Sequence, residues 1–356
     1  MKIGLTGLSF SGKTTIFNAL TGSQLPMGAF TDSAAEPNQA VINVPDDRVD
    51  ELVNLYQPQK TAYSTLELMD FPGLSDSTSD SSTQSSNTLR QMKNLDALGL
   101  VLKNFSDDLT GDPNPESDLD KIYSELLISD LMIVENRLER IEWGYKRGQK
   151  SPEIQNEAQV LRKIHQQLDR NEPISRIELS DIELRIIRGF QFLTLKPTLI
   201  ILNSGEENFN CNSTFVQKLE ARYPLVEFAG KFEMELMQIE DPDEMELFMV
   251  DIGISDSARN RLSRNAYEIL GYISFFTVGT DEVRAWNILR NSTAITASAA
   301  IHTDLARGFI RAECFAYSDL IIAGDEATVK KNGKFRLEGK DYIVQDGDIL
   351  GIRFNV

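Results

Sequence analysis

Apolar residues in the first third of the chain alternate between strand-like runs and helix-like spacings. Short apolar runs lie at 40–45, 64–70 and 97–105, and a fourth lies at 198–203. Apolar strands that are separated by helices are typical of a mostly parallel sheet covered on both faces. The pattern therefore predicts an α/β domain.

A different apolar spacing separates the third of these runs from the fourth. Two segments, joined by GYKRGQKSPE, carry apolar residues alternately four and three positions apart, as in a coiled coil. The seam positions are Leu127, Leu131, Val134, Leu138, Ile141 and Tyr145, then Ile154, Ala158, Leu161, His165 and Leu168. We expect an antiparallel helical hairpin inserted into the α/β domain, with His165 as a structural residue.

The chain changes character again from about residue 274. Short strand candidates are divided there by Gly and Asp turns, and a helix is expected to begin at HTDLARGF with Thr303 or Asp304 as its N-cap. The strand candidates are 309–317, 334–339, 340–347 and 348–356. These features predict a small α+β module.

The segment GLSFSGKTT, residues 7–15, matches the phosphate-loop pattern G-x-x-x-x-G-K-[ST]. It lies between a strand-like run and a helical run, where backbone N–H groups and the helix dipole converge on an anion. We expect Lys13 to reach the β- and γ-phosphates and the Thr14 hydroxyl to ligate Mg²⁺. The predicted nucleotide-binding residues of this loop are Phe10, Ser11, Gly12, Lys13, Thr14 and Thr15.

The motif DFPG follows the second apolar run, in the order found in nucleotide-switch proteins. At this position Asp70 is expected to hold Mg²⁺ through water, and the Gly73 N–H is expected to sense the γ-phosphate. The predicted metal-binding residues are thus Thr14 and Asp70, and the predicted catalytic residues are Lys13 and Gly73.

Two later segments predict the base-binding site. TLIILNSGEE places Asn203 and Glu206 in an N-x-x-[DE] pattern after a strand, and the segment 225–236 places Ala229 and Gly230 in a loop after the next strand. Guanine recognition normally uses an Asp at the Glu206 position. This difference favours ATP, with GTP as a possible competitor.

Composition narrows the function further. The 356 residues carry a formal charge of −18, which argues against broad, non-specific binding of nucleic acid. We see no signal peptide and no apolar run long enough to cross a bilayer. The cysteines Cys211 and Cys314 lack metal-ligand spacing, so they are expected to be free thiols in a reducing compartment. A cytoplasmic monomer is expected.

Any contact with RNA would need a local basic patch, and the turn of the predicted hairpin offers one. Basic residues there outnumber Glu139 and Glu142. They are Arg137, Arg140, Lys146, Arg147 and Lys150. A solvated helix end explains such a group without function, but a basic tip on a rigid arm also suits contact with RNA phosphates through Lys146, Arg147 and Lys150.

Taken in order, these segments resemble the YchF family, the Obg-like ATPases. The likeness extends to EPNQAVINVPDDRVDELVNLYQPQK, LTLKPTLIILNSGEE, GYISFFTVGTDEVRAWNI and the stretch from IHTDLARGFIRAE to the C-terminus. It implies an α/β P-loop NTPase domain with a mostly parallel sheet, an inserted antiparallel helical hairpin, a C-terminal β-grasp (ubiquitin-like) TGS domain, and association with ribosomes. The predicted domains are 1–118 with 191–273, then 119–190, then 274–356.

The sequence departs from the family where hydrolysis is concerned. Phe10 replaces an Asn that helps to hold a monovalent cation in related proteins, and Ala34 stands where the family has a Mg²⁺-ligating Thr. The segment 104–115 lacks the histidine that is proposed to assist hydrolysis, and Leu74 occupies the position of the water-orienting Gln of Ras-like enzymes. A Ser/Thr-rich run at 75–88, expected to be mobile, replaces the second switch.

Three functions remain open at this point. The first is a Mg²⁺-dependent nucleoside triphosphatase with slow intrinsic hydrolysis that acts at the ribosome. The second is a nucleotide-sensing scaffold with negligible turnover. The third, a nucleotide or small-molecule kinase, would need an arginine-bearing lid and an acceptor pocket, which neither the hairpin nor a TGS domain supplies.

Overall fold

The structure is a computed structural model that describes residues 1–26, 36–74, 81–108, 111–211, 213–239, 241–254 and 256–355. The strands are β1 (Lys2–Thr6), β2 (Asn38–Asn43), β3 (Lys60–Ala62), β4 (Thr65–Asp70), β5 (Ala97–Asn104), β6 (Thr198–Ser204), β7 (Leu225–Phe228), β8 (Tyr272–Thr277), β9 (Glu282–Leu289), β10 (Phe309–Ala316), β11 (Arg336–Glu338) and β12 (Asp348–Phe354). The helices are α1 (Lys13–Thr21), α2 (Asp47–Tyr56), α3 (Ser81–Met92), α4 (Pro115–Lys146), α5 (Pro152–Leu168), α6 (Asp181–Ile187), α7 (Thr214–Glu220), α8 (Gly230–Leu236), α9 (Pro242–Ile252), α10 (Ala258–Leu270), α11 (Ala294–Ile301), α12 (Thr303–Arg307), α13 (Tyr317–Ala323) and α14 (Glu326–Lys331).

The first sheet has the strand order β2-β4-β1-β5-β6-β7. Strand β1 pairs in parallel with β4 on one side and β5 on the other, and β5, β6 and β7 continue the parallel arrangement. Because the carboxyl ends of parallel strands meet at one edge, the loops after β1, β4, β5, β6 and β7 lie together. This edge carries the predicted nucleotide site, and the predicted α/β fold is confirmed.

The predicted helical hairpin is formed by α4 and α5. Val134, Ile141 and Leu161 are among the buried residues of its seam, while the predicted seam residue His165 is half-exposed and lies 3.5 Å from Glu135. The α4 and α5 helices are also joined by a two-pronged ion pair. Arg137 donates from Nε and Nη2 to the two carboxylate oxygens of Glu157, each at 2.7 Å.

A buried carboxylate fixes the base of the hairpin. Asp130 of α4 is fully buried and accepts hydrogen bonds from the Leu193 N–H at 2.9 Å, the Thr194 N–H at 2.8 Å and the Thr194 hydroxyl at 2.7 Å. These two residues lead directly into β6. The same carboxylate therefore holds the start of the arm against the chain that returns to the sheet.

The described residues fall into two compact units. The first contains 1–40 and 67–258, and the second contains 41–66 and 259–356. The second unit thus includes α2 and β3, which lie inside the predicted nucleotide domain of 1–118. Strand β3 pairs with β9, and Val49 of α2 packs in one buried cluster with Phe276. These long-range contacts explain why the compact units differ from the predicted boundaries in this stretch.

The second sheet has the order β11-β10-β12-β8-β9-β3. Its centre is an antiparallel β8–β9 hairpin followed by α11, with β12 parallel to β8 and antiparallel to β10. Ala294 and Ala297 of α11 pack with Phe275 and Leu350 of the sheet. This arrangement is the predicted β-grasp fold.

Two local predictions are wrong, and the expected mobility of the serine-rich run 75–88 stays a prediction. Residues 75–80 of that run lie outside the described residues, and α3 begins at Ser81 and packs Leu89 and Met92 into the core. Within the described chain, 340–347 forms only an isolated bridge from Ile343 to Thr293 instead of a strand. The N-cap of α12 is His302, whose Nδ1 accepts from the Asp304 N–H at 3.2 Å.

Among the described residues, no helix has the length and apolar character needed to cross a bilayer.

Candidate nucleotide-binding site

The phosphate loop connects β1 to α1 and has an unusual backbone conformation. Phe10 and Gly12 both have positive φ, at 63° and 84°, and the side chain of Phe10 is 45% exposed. A Cβ at Gly12 would lie 2.0 Å from Asn203 Nδ2, so only glycine fits there. Helix α1 has no side-chain cap, and an uncapped helix N-terminus favours an anion.

Lys13 lies at the centre of this loop. Its side chain is buried, and Nζ donates to the backbone oxygens of Leu8 at 2.7 Å and Gly7 at 3.4 Å. Burial lowers the pKa of Lys13 to about 8, and the nearby Asp70 carboxylate opposes that shift. The ammonium therefore donates to neutral carbonyl oxygens, and charged phosphate oxygens can replace these as its acceptors.

Thr14 and Asp70 meet as the sequence predicts. Asp70 ends β4, level with Leu5 of β1, and its Oδ2 accepts from the Thr14 hydroxyl at 2.9 Å and from Asn38 Nδ2 at 3.4 Å. Burial raises the pKa of Asp70, while the Thr14 hydrogen bond and the Lys13 charge oppose the shift.

The same pair has the chemistry of a magnesium site. Asp70 is fully buried and, among the described residues, its Oδ1 has no hydrogen-bond partner. A buried carboxylate oxygen without a donor, next to a hydroxyl, is the kind of oxygen set that Mg²⁺ or its bound water uses. The residues present therefore fit the predicted metal.

The DFPG loop lies directly on the phosphate loop. The Leu74 N–H donates to the Gly7 carbonyl at 2.9 Å, and the Ser9 N–H donates to the Leu74 carbonyl at 3.3 Å. A Cβ at Gly73 would lie 2.8 Å from Ser9 Cα, so the two loops are in close contact there. The side chain of Leu74 is 1% exposed and packs in the hydrophobic core. The position that orients water in Ras-like enzymes therefore has no polar group here.

Asn203 joins the base-binding region to the phosphate loop. It is buried at the end of β6, and its Nδ2 donates to the Ser11 carbonyl at 3.0 Å. A Cβ at Gly230 would lie 2.4 Å from Asn203 Oδ1, so Gly230 also packs closely on this amide. The N–H of Ala229 donates to the buried carboxylate of Glu233 at 3.0 Å. Glu206 is exposed on the loop after β6.

The remaining predicted residues differ in their surroundings. Ser11 is buried, and its hydroxyl has no hydrogen-bond partner within the described ranges. Thr15 follows Thr14 in the first turn of α1 and is half-buried. Ala34 lies outside the described residues.

Sequence reasoning missed several residues at the ends of β5 and β6. Phe105 has its Cε1 3.7 Å from the Cβ position of Gly12 and also packs on Gly205. Asn104 Nδ2 donates to the Ser204 hydroxyl at 2.8 Å, and that hydroxyl donates to Glu227. Only their position in the sequence could have pointed to these residues, because β5 and β6 end at the same edge of the sheet as the phosphate loop.

A cleft of about 510 Å³ opens beside the phosphate loop. It lies between Ser9, Phe10 and Ser11 on one side and the first turn of α4 on the other, and Lys103 and Lys121 also line it. Lys103 Nζ lies 5.1 Å from the centroid of the Phe105 ring. Asp112 and Asp118 line the same cleft, and Lys103 Nζ is 3.1 Å from Asp107 Oδ2, so the lining carries charges of both signs.

Comparisons with known proteins agree with this geometry. Residues 2–137 match the family model described as 50S ribosome-binding GTPase. Residues 272–355 match the model YchF-GTPase_C, described as protein of unknown function (DUF933).

Full-length relatives and a solved structure are also similar. The ribosome-binding ATPase YchF of Pasteurella multocida is 38% identical over 363 residues, covering 100% of this chain and 99% of that protein. The protein of that name from Bacillus subtilis is 33% identical over 364 residues, covering 99% of each. The structure of the Schizosaccharomyces pombe YchF GTPase matches with a TM-score of 0.84 and 27% identity, covering 99% of this chain and 97% of that one. This chain belongs to the YchF family.

Proposed function

We propose that this protein is a Mg²⁺-dependent nucleoside triphosphatase, with ATP as its favoured substrate and slow intrinsic hydrolysis, that acts at the ribosome in translation or stress regulation in the cytoplasm. The observation that carries the proposal is the contact of the Thr14 hydroxyl with the buried Asp70 carboxylate at 2.9 Å, next to Lys13. Two relatives that match over the full length carry the name ribosome-binding ATPase.

Each of these groups has a distinct task in phosphoryl transfer. Lys13 exchanges its two carbonyl acceptors for β- and γ-phosphate oxygens, and the first-turn N–H groups of α1 hold the remaining charge. Thr14 and Asp70 would hold Mg²⁺, which neutralises charge on the β- and γ-phosphates when bound. Gly73 packs against Ser9 of the phosphate loop, and its N–H would contact the γ-phosphate.

Slow hydrolysis follows from what the site lacks. Catalysis of phosphoryl transfer needs a positioned water as well as a neutralised phosphate. Leu74 points into the core, and the described part of the loop after β5 carries no histidine. Removal of one transition-state donor costs ~100-fold or more in other enzymes. Binding should therefore be strong, while turnover by the isolated protein should be weak.

The base-binding loop favours adenine. Guanine O6 is an acceptor and adenine N6 is a donor. The Ala229 N–H already donates to Glu233, so it is not offered to guanine O6, and Glu206 is exposed and one methylene longer than the Asp that accepts from two neighbouring N–H groups of guanine. Calorimetric titration in Mg²⁺ should give tighter binding for ATP than for GTP. Tight binding of GTP with no binding of ATP would contradict the proposal.

We propose that the arm tip contacts ribosomal RNA through Lys146, Arg147 and Lys150, which are all exposed. Reversal of these three charges to Glu should abolish co-sedimentation with ribosomes and leave ATP affinity intact, because the RNA contact is carried by phosphate neutralisation. The matched control reverses the exposed Arg162, Arg170 and Arg188, which changes the net charge equally. If both triple variants sediment with ribosomes as the wild type does, the proposed contact between the tip and ribosomal RNA is wrong.

The alternative is a nucleotide-sensing scaffold with negligible turnover. The core position of Leu74 favours it, because no group at that position can orient water. Binding of Mg-ATP without any phosphate release, with and without ribosomes, would select this alternative.

A further inference from the structure

An indole ring stands exposed beside the basic residues of the arm tip. Trp143 lies in the last turn of α4 before Lys146 and is 54% exposed. Its neighbour Ile141 belongs to the buried cluster of the hairpin, and Tyr145 packs against that cluster. Among the described residues, Trp143 lies outside it. Burial within the arm therefore does not account for a tryptophan at this position.

The basic residues of the tip surround this ring. On a helix, residues three or four positions apart share a face, so Arg140, Lys146 and the C-cap residue Arg147 lie on the same side of α4 as Trp143, and so does the acidic Glu139. Lys146 Nζ is 5.2 Å from the centroid of the ring. From Arg140 to Arg147 the helix rises about 10 Å, which is long enough for one stacked base with a phosphate on either side.

Most of these basic side chains are also not neutralised by a carboxylate. Within the part of the chain that the structure describes, Arg140, Arg147 and Lys150 have no ion-pair partner. By contrast, Arg137, which the sequence groups with them, is held by both carboxylate oxygens of Glu157. The free charges are therefore concentrated at the end of the arm, around the indole.

We propose that Trp143 stacks on an unpaired base of RNA while Lys146, Arg147 and Lys150 neutralise the adjacent phosphates. This inference rests on the proposed ribosome contact and names its chemical class as single-stranded or looped RNA. An exposed aromatic ring among cations is the arrangement that binds single strands without sequence preference. Duplex RNA offers no such base, because its bases remain stacked within the helix.

The exposed indole favours RNA over an acidic protein partner. At −18, the chain repels polyanions of either kind, so the net charge does not separate the two, and the cationic end around an aromatic ring is a local exception. An acidic peptide would satisfy the charges but would leave the indole without a stacking partner. This difference separates the two kinds of partner experimentally.

The experiment uses the full chain with Trp286→Phe, which leaves Trp143 as the sole tryptophan. A twelve-nucleotide oligouridylate should quench Trp143 fluorescence, and an RNA duplex of equal length or oligoglutamate should not. In ribosome co-sedimentation, Trp143→Ala should bind about tenfold more weakly and Trp143→Phe should retain most of the binding. The matched control is Met132→Ala, which truncates a 57% exposed residue of the same helix about 16 Å from Trp143.

The outcomes separate this inference from the proposed function. If Trp143→Ala sediments like the wild type while reversal of the three tip charges abolishes binding, the stacking is wrong and the ribosome contact stands. Quenching by the duplex or by oligoglutamate to the same extent as by oligouridylate would also overturn the stacking. Circular dichroism of each variant checks that the helix content of the full chain is unchanged.

Discussion

The nucleotide site and the arm tip use positive charge in opposite ways. Lys13 is 6% exposed and bonded to loop carbonyls, and Asp70, which faces it, is fully buried. At the tip, Arg147 and Lys150 are exposed and have no ion-pair partner among the described residues. One region has its charges positioned before the ligand arrives, and the other leaves them in water.

The ligands that we propose for the two regions have different requirements. A triphosphate is small, and the groups that bind it act strongly only when they are preorganised away from water. RNA presents a long row of phosphates, and affinity for it comes from counterion release, which exposed side chains achieve. Mutations in the nucleotide site should therefore have large, specific effects, and mutations at the tip should have smaller, salt-dependent ones.

The largest effect is expected for Lys13→Ala. Loss of the ammonium removes the charge that faces the β- and γ-phosphates, so ATP affinity should fall ~100-fold or more. Titration calorimetry in Mg²⁺ measures the change, and Lys218→Ala, which removes an exposed lysine of α7, is the control. An affinity within threefold of the wild type would show that the phosphates bind elsewhere.

An intermediate effect is expected for Asp130→Asn, at the base of the arm. The carboxylate accepts hydrogen bonds from Leu193 and Thr194, and the new amide would direct its own N–H donors towards them. The free energy of unfolding should therefore fall by about 2 kcal/mol. Denaturant unfolding followed by circular dichroism tests this, with the exposed Glu139→Gln as control. Because Asp130 does not contact the nucleotide site, ATP affinity should be unchanged. A parallel loss of affinity would show that the two regions are coupled.

The smallest effect concerns the dependence of ribosome binding on salt. Neutralising Lys146, Arg147 and Lys150 to Gln removes three phosphate contacts, so the slope of log affinity against log salt should fall in magnitude by about 2. Sedimentation at several salt concentrations measures the slope, and Arg162→Gln is the single-site control. An unchanged slope would mean that the tip charges do not touch phosphates.

Much of the nucleotide site was predictable from the sequence, since Lys13, Asp70 and Asn203 each belong to a motif at the end of a strand. Parallel pairing brings those ends together without further information. Contacts between distant parts of the chain were not predictable. Periodicity places Arg137 on the arm but does not show that Glu157 neutralises it.

The same limit applies elsewhere in the molecule. The apolar pattern of α2 predicts a helix, but only the structure shows that Val49 packs with Phe276 in the second unit. Phe105 has no motif around it, so its position beside Gly12 depended on knowing how β5 pairs with β1.

We propose that this site holds Mg-ATP firmly but turns it over slowly by itself. The most direct test is phosphate release by the isolated full-length protein at saturating Mg-ATP, repeated with ribosomes. We predict turnover far below the ~10 s⁻¹ that is typical of enzymes, together with tight ATP binding in the same preparation. Turnover by the isolated protein near that typical value would contradict the account, because it would require a water-positioning group that the site described above does not contain.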